Sequence, residues 1–308
     1  EGAANPAFIR GLAAEKSMDI SGIFDENGKY KFDGFNEFLT TYENATQALK
    51  SPEDFKRLTQ SVLENLAENN VVYAETFISP DFCGDRDLGA WREYLAAMRE
   101  AHVEGVTLRG IVTCIRHLGP EKAREAAFCA AETAGDWVVG FGMAGAENVG
   151  RAKDYSYSFD MAREAGLRLT SHAGEWCGAE SVWETLRDLR VERIGHGVHS
   201  INDPKLVEHL AETGVALEIN PGSNVALGVY PSWIDHPIKR LRDAGVKVTV
   251  STDDPPFFNT TMTREFEELE SAYGWGAEDF KVLNETALEV AFCDLDTKEV
   301  IAKRLEAL

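Results

Sequence analysis

The sequence predicts an α/β barrel with parallel strands. Seven strand-like runs alternate with segments whose apolar residues recur at the three- and four-residue spacing of a helix. Glycine precedes the next strand at Gly135, Gly166, Gly214 and Gly245, and helices commonly end at glycine. Repeated strand–helix units imply a parallel sheet with right-handed crossovers. Charged residues follow several of these strands, at the end where parallel barrels carry their chemistry.

The predicted elements cover most of the chain. The strands are expected at residues 71–79, 106–115, 137–143, 167–171, 193–196, 215–219 and 246–252. The helices are expected at residues 88–101, 120–134, 152–165 and 179–189, and then at 263–273, 278–292 and 296–307. A closed barrel needs eight strands. We therefore expect either an open sheet or a first strand that precedes Glu1.

The first 68 residues are predicted to be helical and are rich in aromatic side chains. These aromatics are Phe8, Phe24, Phe32, Phe35, Phe38, Tyr42 and Phe55. An insertion of this size after a first strand is expected to lie over the barrel mouth as a lid, although ordinary helix packing accounts for the same residues. We expect one domain over residues 1–308, made of this lid (1–68), the barrel (69–254) and C-terminal helices (255–308).

Composition narrows the class of partner. The chain has 308 residues, a formal net charge of −21 and a pI of about 4.7. Such a field repels phosphate backbones and anionic lipids, so neither nucleic acid nor a membrane is an expected partner. The five cysteines are scattered and contain no Cys-x-x-Cys pair, which argues against a disulfide framework. A reducing cytoplasm is the expected compartment.

Histidine and carboxylate side chains follow three of the predicted strands. His172 ends one strand, His196 lies between two glycines at the end of the next, and Asp253 ends the last. A catalytic zinc ion takes about three His, Asp or Glu ligands and keeps one position for water. His172 and Asp253 are the best candidates for ligands because each ends a strand beside a small residue or a turn. The pattern predicts a metal-assisted hydrolytic site.

Three neighbouring residues leave alternatives open. Glu175, three residues after His172, shares the mouth, and a carboxyl group shielded from water can donate a proton; a helix cap is its alternative role. His196 is either a further ligand or the group that orients and deprotonates the attacking water. Of the doublet Asp253–Asp254, one residue can bind metal while the other faces the substrate.

Other ionisable residues are given supporting roles. His199 and Glu218 are expected behind the site, and Glu75 is a candidate carboxylate in the barrel lumen. The remaining histidines are expected on surfaces or helices; they are His102, His117, His209 and His236.

Several motifs occur together in the order of the strands. They are residues 72–75 with 79–80, then 139–145, 171–175, 192–199, 221–224 and 251–255. Over nearly the whole chain these motifs resemble the adenosine deaminase family of zinc hydrolases. The resemblance implies one Zn²⁺ per chain, bound by His172, Asp253 and a His-x-His pair that the family carries on its first strand, upstream of Glu1 here.

The resemblance also implies the roles of the other site residues. Glu175 would protonate N1 of a purine, His196 would activate the water, Asp254 would hold N7, and the amide of Gly145 would contact N3. The implied reaction replaces the 6-amino group by oxygen and releases ammonia.

The substrate is the least determined point. An acidic residue after the His pair contacts the sugar in adenosine deaminases; here it is Glu1, as in the adenine deaminase branch. Gly195 and Thr252 resemble the nucleoside branch, whereas Gly142 replaces an aspartate that is usual there. The main expectation is conversion of adenosine to inosine in purine salvage or catabolism. Adenine and modified 6-aminopurine nucleosides are the alternative substrates.

Two readings outside this activity also remain. One is a purine-binding relative without catalysis, and the other is an amidohydrolase that acts on an amide or ester. A small-molecule purine nucleoside and water are the expected partners, and the oligomeric state is left open.

Overall fold

The computed structural model describes residues 1–306 and contains one parallel sheet of seven strands. Each strand pairs with the strand that follows it in the sequence, in the order β1 to β7. The strands are β1 (Tyr73–Ile78), β2 (Thr107–Ile115), β3 (Val138–Ala144), β4 (Arg168–Ala173), β5 (Arg193–His196), β6 (Ala216–Ile219) and β7 (Val248–Val250). All seven predicted strands are confirmed, with ends that shift by a few residues.

Helices connect the strands and cover their outer side. They are α1 (Pro6–Glu15), α2 (Gly34–Thr46), α3 (Pro52–Glu68), α4 (Leu88–Arg99), α5 (Pro120–Ala131), α6 (Ser156–Glu164), α7 (Ala179–Leu189), α8 (Pro204–Thr213), α9 (Pro221–Ala226), α10 (Ile238–Asp243), α11 (Pro255–Phe258), α12 (Met262–Tyr273), α13 (Ala277–Val290) and α14 (Leu295–Leu305). The predicted helix 152–165 begins with a 3₁₀ turn before α6. The end of the predicted helix 296–307 lies outside the described residues.

Capping residues explain where several helices begin and end. The Asn5 side chain accepts hydrogen bonds from the first amides of α1, and Ser51 forms a capping box with Asp54 at the start of α3. Gly214 ends α8 with a φ of 72°, a left-handed conformation that glycine adopts without steric cost.

An arginine inside the sheet shows how strongly the sheet curls. The guanidinium of Arg193 in β5 lies 2.6 Å from the carboxylate of Glu75 in β1 and 2.5 Å from that of Glu218 in β6. Strands four places apart in the sheet can meet in this way only if the sheet closes most of a barrel. Glu75 is therefore a lumen carboxylate, as predicted.

The barrel remains open on one side within residues 1–306. There β1 pairs only with β2, and β7 pairs only with β6. This open sheet is one of the two arrangements that the strand count predicts. The C-terminal helices approach the opening, where the backbone amide of Phe292 donates a hydrogen bond to Glu75 at 2.6 Å.

The aromatic residues of the first 68 residues pack over the barrel mouth. Phe257, three residues after Asp254, stacks on Tyr30 with ring centroids 3.9 Å apart. The rings of Phe38 and Tyr42 in α2 lie 5.5 and 5.7 Å from the ring of Phe257, measured between centroids. The segment thus lies where a lid is predicted and packs as ordinary helices do.

All five cysteines are free thiols, and only Cys177 is not fully buried. Among residues 1–306, no helix combines the length and the apolar character needed to cross a bilayer.

Candidate active site

One large cavity contains every site residue named from the sequence. It has a volume of about 1700 Å³ and extends from the barrel mouth into the lumen beside the open edge. The predicted residues that line it are Glu1, Gly145, His172, Glu175, His196, Asp253 and Asp254. The fold brings them together because each follows a parallel strand or belongs to the segment over the strand ends.

An imidazole lies between two carboxylates at the centre of this cavity. The Nε2 atom of His196 lies 3.7 Å from Glu175 Oε2 and 3.7 Å from Asp253 Oδ2. The ring of His172 lies 5.1 Å from the ring of His196, measured between centroids. Gly195 permits this approach, since a Cβ atom there would be 3.1 Å from His172 Nδ1.

Two of these residues have an uncommon backbone conformation. His196 has a φ of 62° and Asp253 a φ of 58°, both in the left-handed region. A residue with a side chain costs of the order of 1–3 kcal/mol there and stays so only where surrounding structure holds it. Such residues are concentrated at functional sites, which supports the assignment of this cavity as the active site.

Burial changes the protonation of the charged groups. Loss of solvent raises the pKa of Glu175 well above its usual range, and the charge of Asp253 raises it further. The same two causes raise the pKa of Asp254. Burial lowers the pKa of His196 to about 4. The site therefore favours a protonated Glu175, which can give up a proton, and a neutral imidazole.

The donor atoms fit a divalent metal ion. Potential ligand atoms of Glu175, His196 and Asp253 all lie within 4.8 Å of one another. Of the two ligands predicted from the sequence, Asp253 belongs to this group and His172 does not, although the ring of His172 neighbours that of His196. A protonated Glu175 would lie beside such an ion without binding it. Within residues 1–306, the ion pairs of Glu175 and Asp253 involve only His196, so no lysine or arginine neutralises these carboxylates. Imidazole nitrogen and carboxylate oxygen are the ligands that zinc prefers. Ser223 Oγ also donates to Asp253 Oδ2 at 2.7 Å, which orients that carboxylate.

Glu1 lies deep in the same cavity. Its Oε1 accepts from the backbone amide of Ser79 at 3.2 Å, and the hydroxyl of Tyr42 donates to Oε2 at 3.2 Å. The next residue, Gly2, packs directly against Asp254: a Cβ atom on Gly2 would lie only 1.5 Å from Asp254 Oδ1. Glu1 and Asp254 thus belong to one wall of the pocket.

Glu147 is a site residue that sequence reasoning missed. Its Oε1 accepts from the Gly174 amide at 2.5 Å, and its Oε2 accepts from the amides of Glu175, Trp176 and Cys177 at 2.8–3.1 Å. A single glutamate in a loop has no periodicity that reveals such a role. The only signal is its position two residues after the Gly145 motif.

One histidine, His236, is not where the sequence analysis placed it. His236 was expected on a surface or helix, but it is only 2% exposed and its Nε2 contacts Asn224. The prediction failed because its burial depends on distant segments that cover a turn. His117 lies at the cavity, where its Nδ1 accepts from the amide of Ala146 at 3.3 Å. His199 lies behind the site, as expected, with Nδ1 at 3.2 Å from the Gly174 carbonyl.

Imidazoles and carboxylates at the ends of parallel strands, around donors that fit a divalent ion, are typical of an α/β-barrel hydrolase. A family model described as adenosine deaminase matches residues 1–308, and the chain belongs to that family. It is a hydrolytic deaminase, as the sequence analysis predicted.

Individual relatives match along almost their full length. A protein from Agrobacterium fabrum named adenine deaminase is 47% identical, over 99% of this chain and 95% of its own. One of the same name from Rhizobium leguminosarum bv. trifolii is 42% identical, over 99% and 96%. The crystal structure of adenine deaminase from Arthrobacter aurescens superposes with a TM-score of 0.88 at 27% identity, over 99% of this chain and 95% of that one.

Proposed function

We propose that the protein hydrolytically deaminates adenine to the 6-oxo purine and ammonia. The similarity to proteins named adenine deaminase, at 47% and 42% identity, supports this substrate. The expectation of adenosine, which depended on Gly195 and Thr252, has no such support among these relatives. The alternative substrate that Glu1 indicated becomes the main proposal.

The observation that carries the proposal is the pair of carboxyl groups on one wall of the pocket. Glu1 is close enough for its charge to raise the pKa of Asp254. The five-membered ring of free adenine has one nitrogen that accepts a hydrogen bond and one N–H that donates. Burial raises the pKa of Glu1 as well. A protonated Asp254 can donate to N7, and the oxygen of Glu1 that carries no proton can accept from N9–H. A nucleoside has no N–H at N9, so it cannot make the second bond.

The remaining residues supply the chemistry at the six-membered ring. Water oxygen bonds to C6, N1 takes up the proton of Glu175, and the bond from C6 to the amino nitrogen breaks. Of the two protons of the water, one leaves on the amino nitrogen as ammonia and the other restores the carboxyl group of Glu175. Glu175 is the proton donor to N1, because burial keeps its carboxyl protonated. The amide of Gly145, at the cavity wall with a φ of 98°, is proposed to contact N3.

A zinc ion is proposed as the cofactor. Its protein ligands are His172 and Asp253, together with the two histidines that the family resemblance places before Glu1. When bound, zinc would lower the pKa of a water molecule to about 7 and so make that water a better nucleophile at neutral pH. Asp253 is oriented for this role by Ser223.

Steady-state kinetics on the full-length protein test the substrate. We expect kcat/KM for ammonia release from adenine to exceed that from adenosine by at least tenfold, which is about 1.4 kcal/mol of transition-state discrimination. A ratio in favour of adenosine would contradict the proposal and indicate a nucleoside substrate. Turnover of neither compound by zinc-loaded protein would favour a modified 6-aminopurine nucleoside.

A further inference from the structure

A chain of buried polar groups extends behind His196, away from the cavity. The backbone amide of Ile238 lies 3.2 Å from His236 Nδ1, and His236 Nε2 lies 3.1 Å from Asn224 Oδ1. Asn224 Nδ2 in turn lies 3.2 Å from His196 Nδ1. His236, Asn224 and His196 are at most 2% exposed, so water does not compete for these hydrogen bonds.

The direction of every hydrogen bond in this chain is fixed by its first member. A backbone N–H can only donate, so Nδ1 of His236 is an acceptor and the proton of this neutral ring is on Nε2. Burial lowers the pKa of His236 to about 3, which keeps the ring neutral. Its Nε2–H then donates to Asn224 Oδ1. The amide group of Asn224 is thereby oriented with its NH₂ towards His196.

The groups on both sides of the His196 ring agree with this direction. Two amide NH₂ groups face Nδ1, from Asn224 at 3.2 Å and from Asn220 at 3.4 Å. Carboxylate oxygens of Asp253 and Glu175 lie on the other side, 3.7 Å from Nε2. Donors therefore surround one nitrogen, and carboxyl oxygen atoms lie near the other.

We infer that Asn224 and His236 are positioning residues that hold His196 as the tautomer with its proton on Nε2. In this tautomer His196 presents an N–H group to the cavity and has no free lone pair there. It hydrogen-bonds to the oxygen that attacks C6 and does not accept that oxygen's proton. The sequence left open a metal-ligand role for His196 and a role in orienting and deprotonating the water. With Nε2 protonated, only the orientation of the water is retained. The expected effect on turnover rests on the proposed deamination, whereas the assignment of the His196 tautomer rests on the hydrogen bonds alone.

Replacement of Asn224 by aspartate changes one side-chain atom and should reverse the direction of the hydrogen bond to His196. In Asn224→Asp the donor that faces Nδ1 becomes an acceptor of the same size, while the other oxygen still accepts from His236. We expect the proton of His196 to move to Nδ1. Asn27→Asp, at an exposed turn residue, is the matched control for the added charge. His236→Phe provides a second variant, which removes the donor to Asn224 without a new charge.

Nitrogen NMR of full-length protein labelled with ¹⁵N-histidine measures the tautomer directly. The signals of His196 are assigned by their loss in His196→Gln. In the wild type we expect Nε2 to be protonated and Nδ1 unprotonated, with the reverse in Asn224→Asp and no change in Asn27→Asp. A wild-type His196 with its proton on Nδ1 would overturn the inference, and this measurement requires only that the assignment variant His196→Gln fold.

Turnover of adenine gives the second readout. Loss of residues that orient a metal-site side chain typically costs 10–100-fold in activity. We expect kcat to fall by this amount in Asn224→Asp, with KM little changed because no contact to the substrate is lost. A reversed tautomer with an unchanged kcat would contradict the positioning role. A wild-type protein that does not deaminate adenine contradicts the proposed function, and the tautomer is still decided by NMR.

Discussion

The carboxylate of Glu147 accepts a hydrogen bond from the backbone amide of Glu175 at 3.1 Å. Two buried glutamates, one in the loop after β3 and one in the loop after β4, thus meet with pKa values shifted in opposite directions. Although burial alone would raise the pKa of Glu147, the hydroxyl of Ser181 and several backbone amides lower it. Burial raises the pKa of Glu175, and the charges of Asp253, Glu147 and Asp254 raise it further. When the surroundings of two neighbouring carboxyl groups move their pKa values apart in this way, the group with the raised pKa is the candidate acid.

Glu147→Gln is expected to loosen the loop that carries Glu175. An NH₂ group would then face backbone N–H donors, and a buried donor left without an acceptor costs about 1–3 kcal/mol. Denaturant unfolding should show a loss of this size, with a parallel fall in kcat for adenine. Glu104→Gln, at an exposed position, is the control and should change neither quantity.

The loss of unfolding free energy in Glu147→Gln should depend on pH. Because the folded-state pKa of Glu147 is below the ordinary 4.5, its ionised form stabilises the protein at pH values above that. This stabilisation is lost as pH falls through the lowered pKa. The difference in unfolding free energy between wild type and variant should therefore shrink in acid. A difference that stays constant from neutral pH into acid would show that the charge of Glu147 is irrelevant.

Glu175→Gln is expected to keep the fold and the metal but lose most turnover. The amide has the same shape and cannot deliver a proton to N1. General acid catalysis contributes about 10²–10⁴-fold, so kcat should fall by at least the lower figure. Circular dichroism and metal content should match the wild type. A kcat close to normal would make Glu175 a helix cap.

Metal analysis tests the proposed ligands. Elemental analysis of the full-length protein should find about one zinc per chain, and His172→Ala or Asp253→Ala should lower this content. His196→Ala should retain the metal, because His196 is proposed to contact the attacking water. Zinc loss in His196→Ala would reassign that residue as a ligand. Absence of any transition metal, with no gain in activity on adding zinc, contradicts the cofactor.

Glu1→Asp tests the residue proposed to select the free base. The shorter side chain withdraws the carboxylate from N9–H and leaves space for a sugar. The ratio of kcat/KM for adenine to that for adenosine should therefore fall. Tyr42→Phe, which removes the hydroxyl that donates to Glu1, should shift the ratio in the same direction by less. If Glu1→Asp leaves the ratio unchanged, discrimination has another origin.

The fold was predictable because its signals are local and repeated. The helix 179–189 and the strand 193–196 have the bounds that periodicity predicts. His172, His196 and Asp253 could be named because a parallel sheet brings all strand ends to one edge. Their placement in one cavity was therefore predictable, while their individual roles remain predictions.

Residues that act through long-range contacts could not be found in this way. His236 is buried because Asn224 and Tyr230 pack against it from another segment. Glu147 is significant only because the β3 and β4 loops fold together. The expectation of adenosine depended on Gly195 and Thr252, whereas the relatives named adenine deaminase favour the alternative that Glu1 indicated. The contacts of Glu1 to Ser79 and Tyr42 are invisible in the sequence.

The position of Arg193 has a consequence for attempts to change the substrate. It joins β1, β5 and β6 from inside the lumen, and its Nη1 also donates to the Val290 carbonyl near the open side. Arg193 thus fixes the spacing of these strands from inside the lumen, at the start of β5. Mutant libraries directed at the aromatic residues over the mouth can vary the fit of a purine while this spacing is preserved. Libraries that include Arg193 would sample mostly inactive proteins.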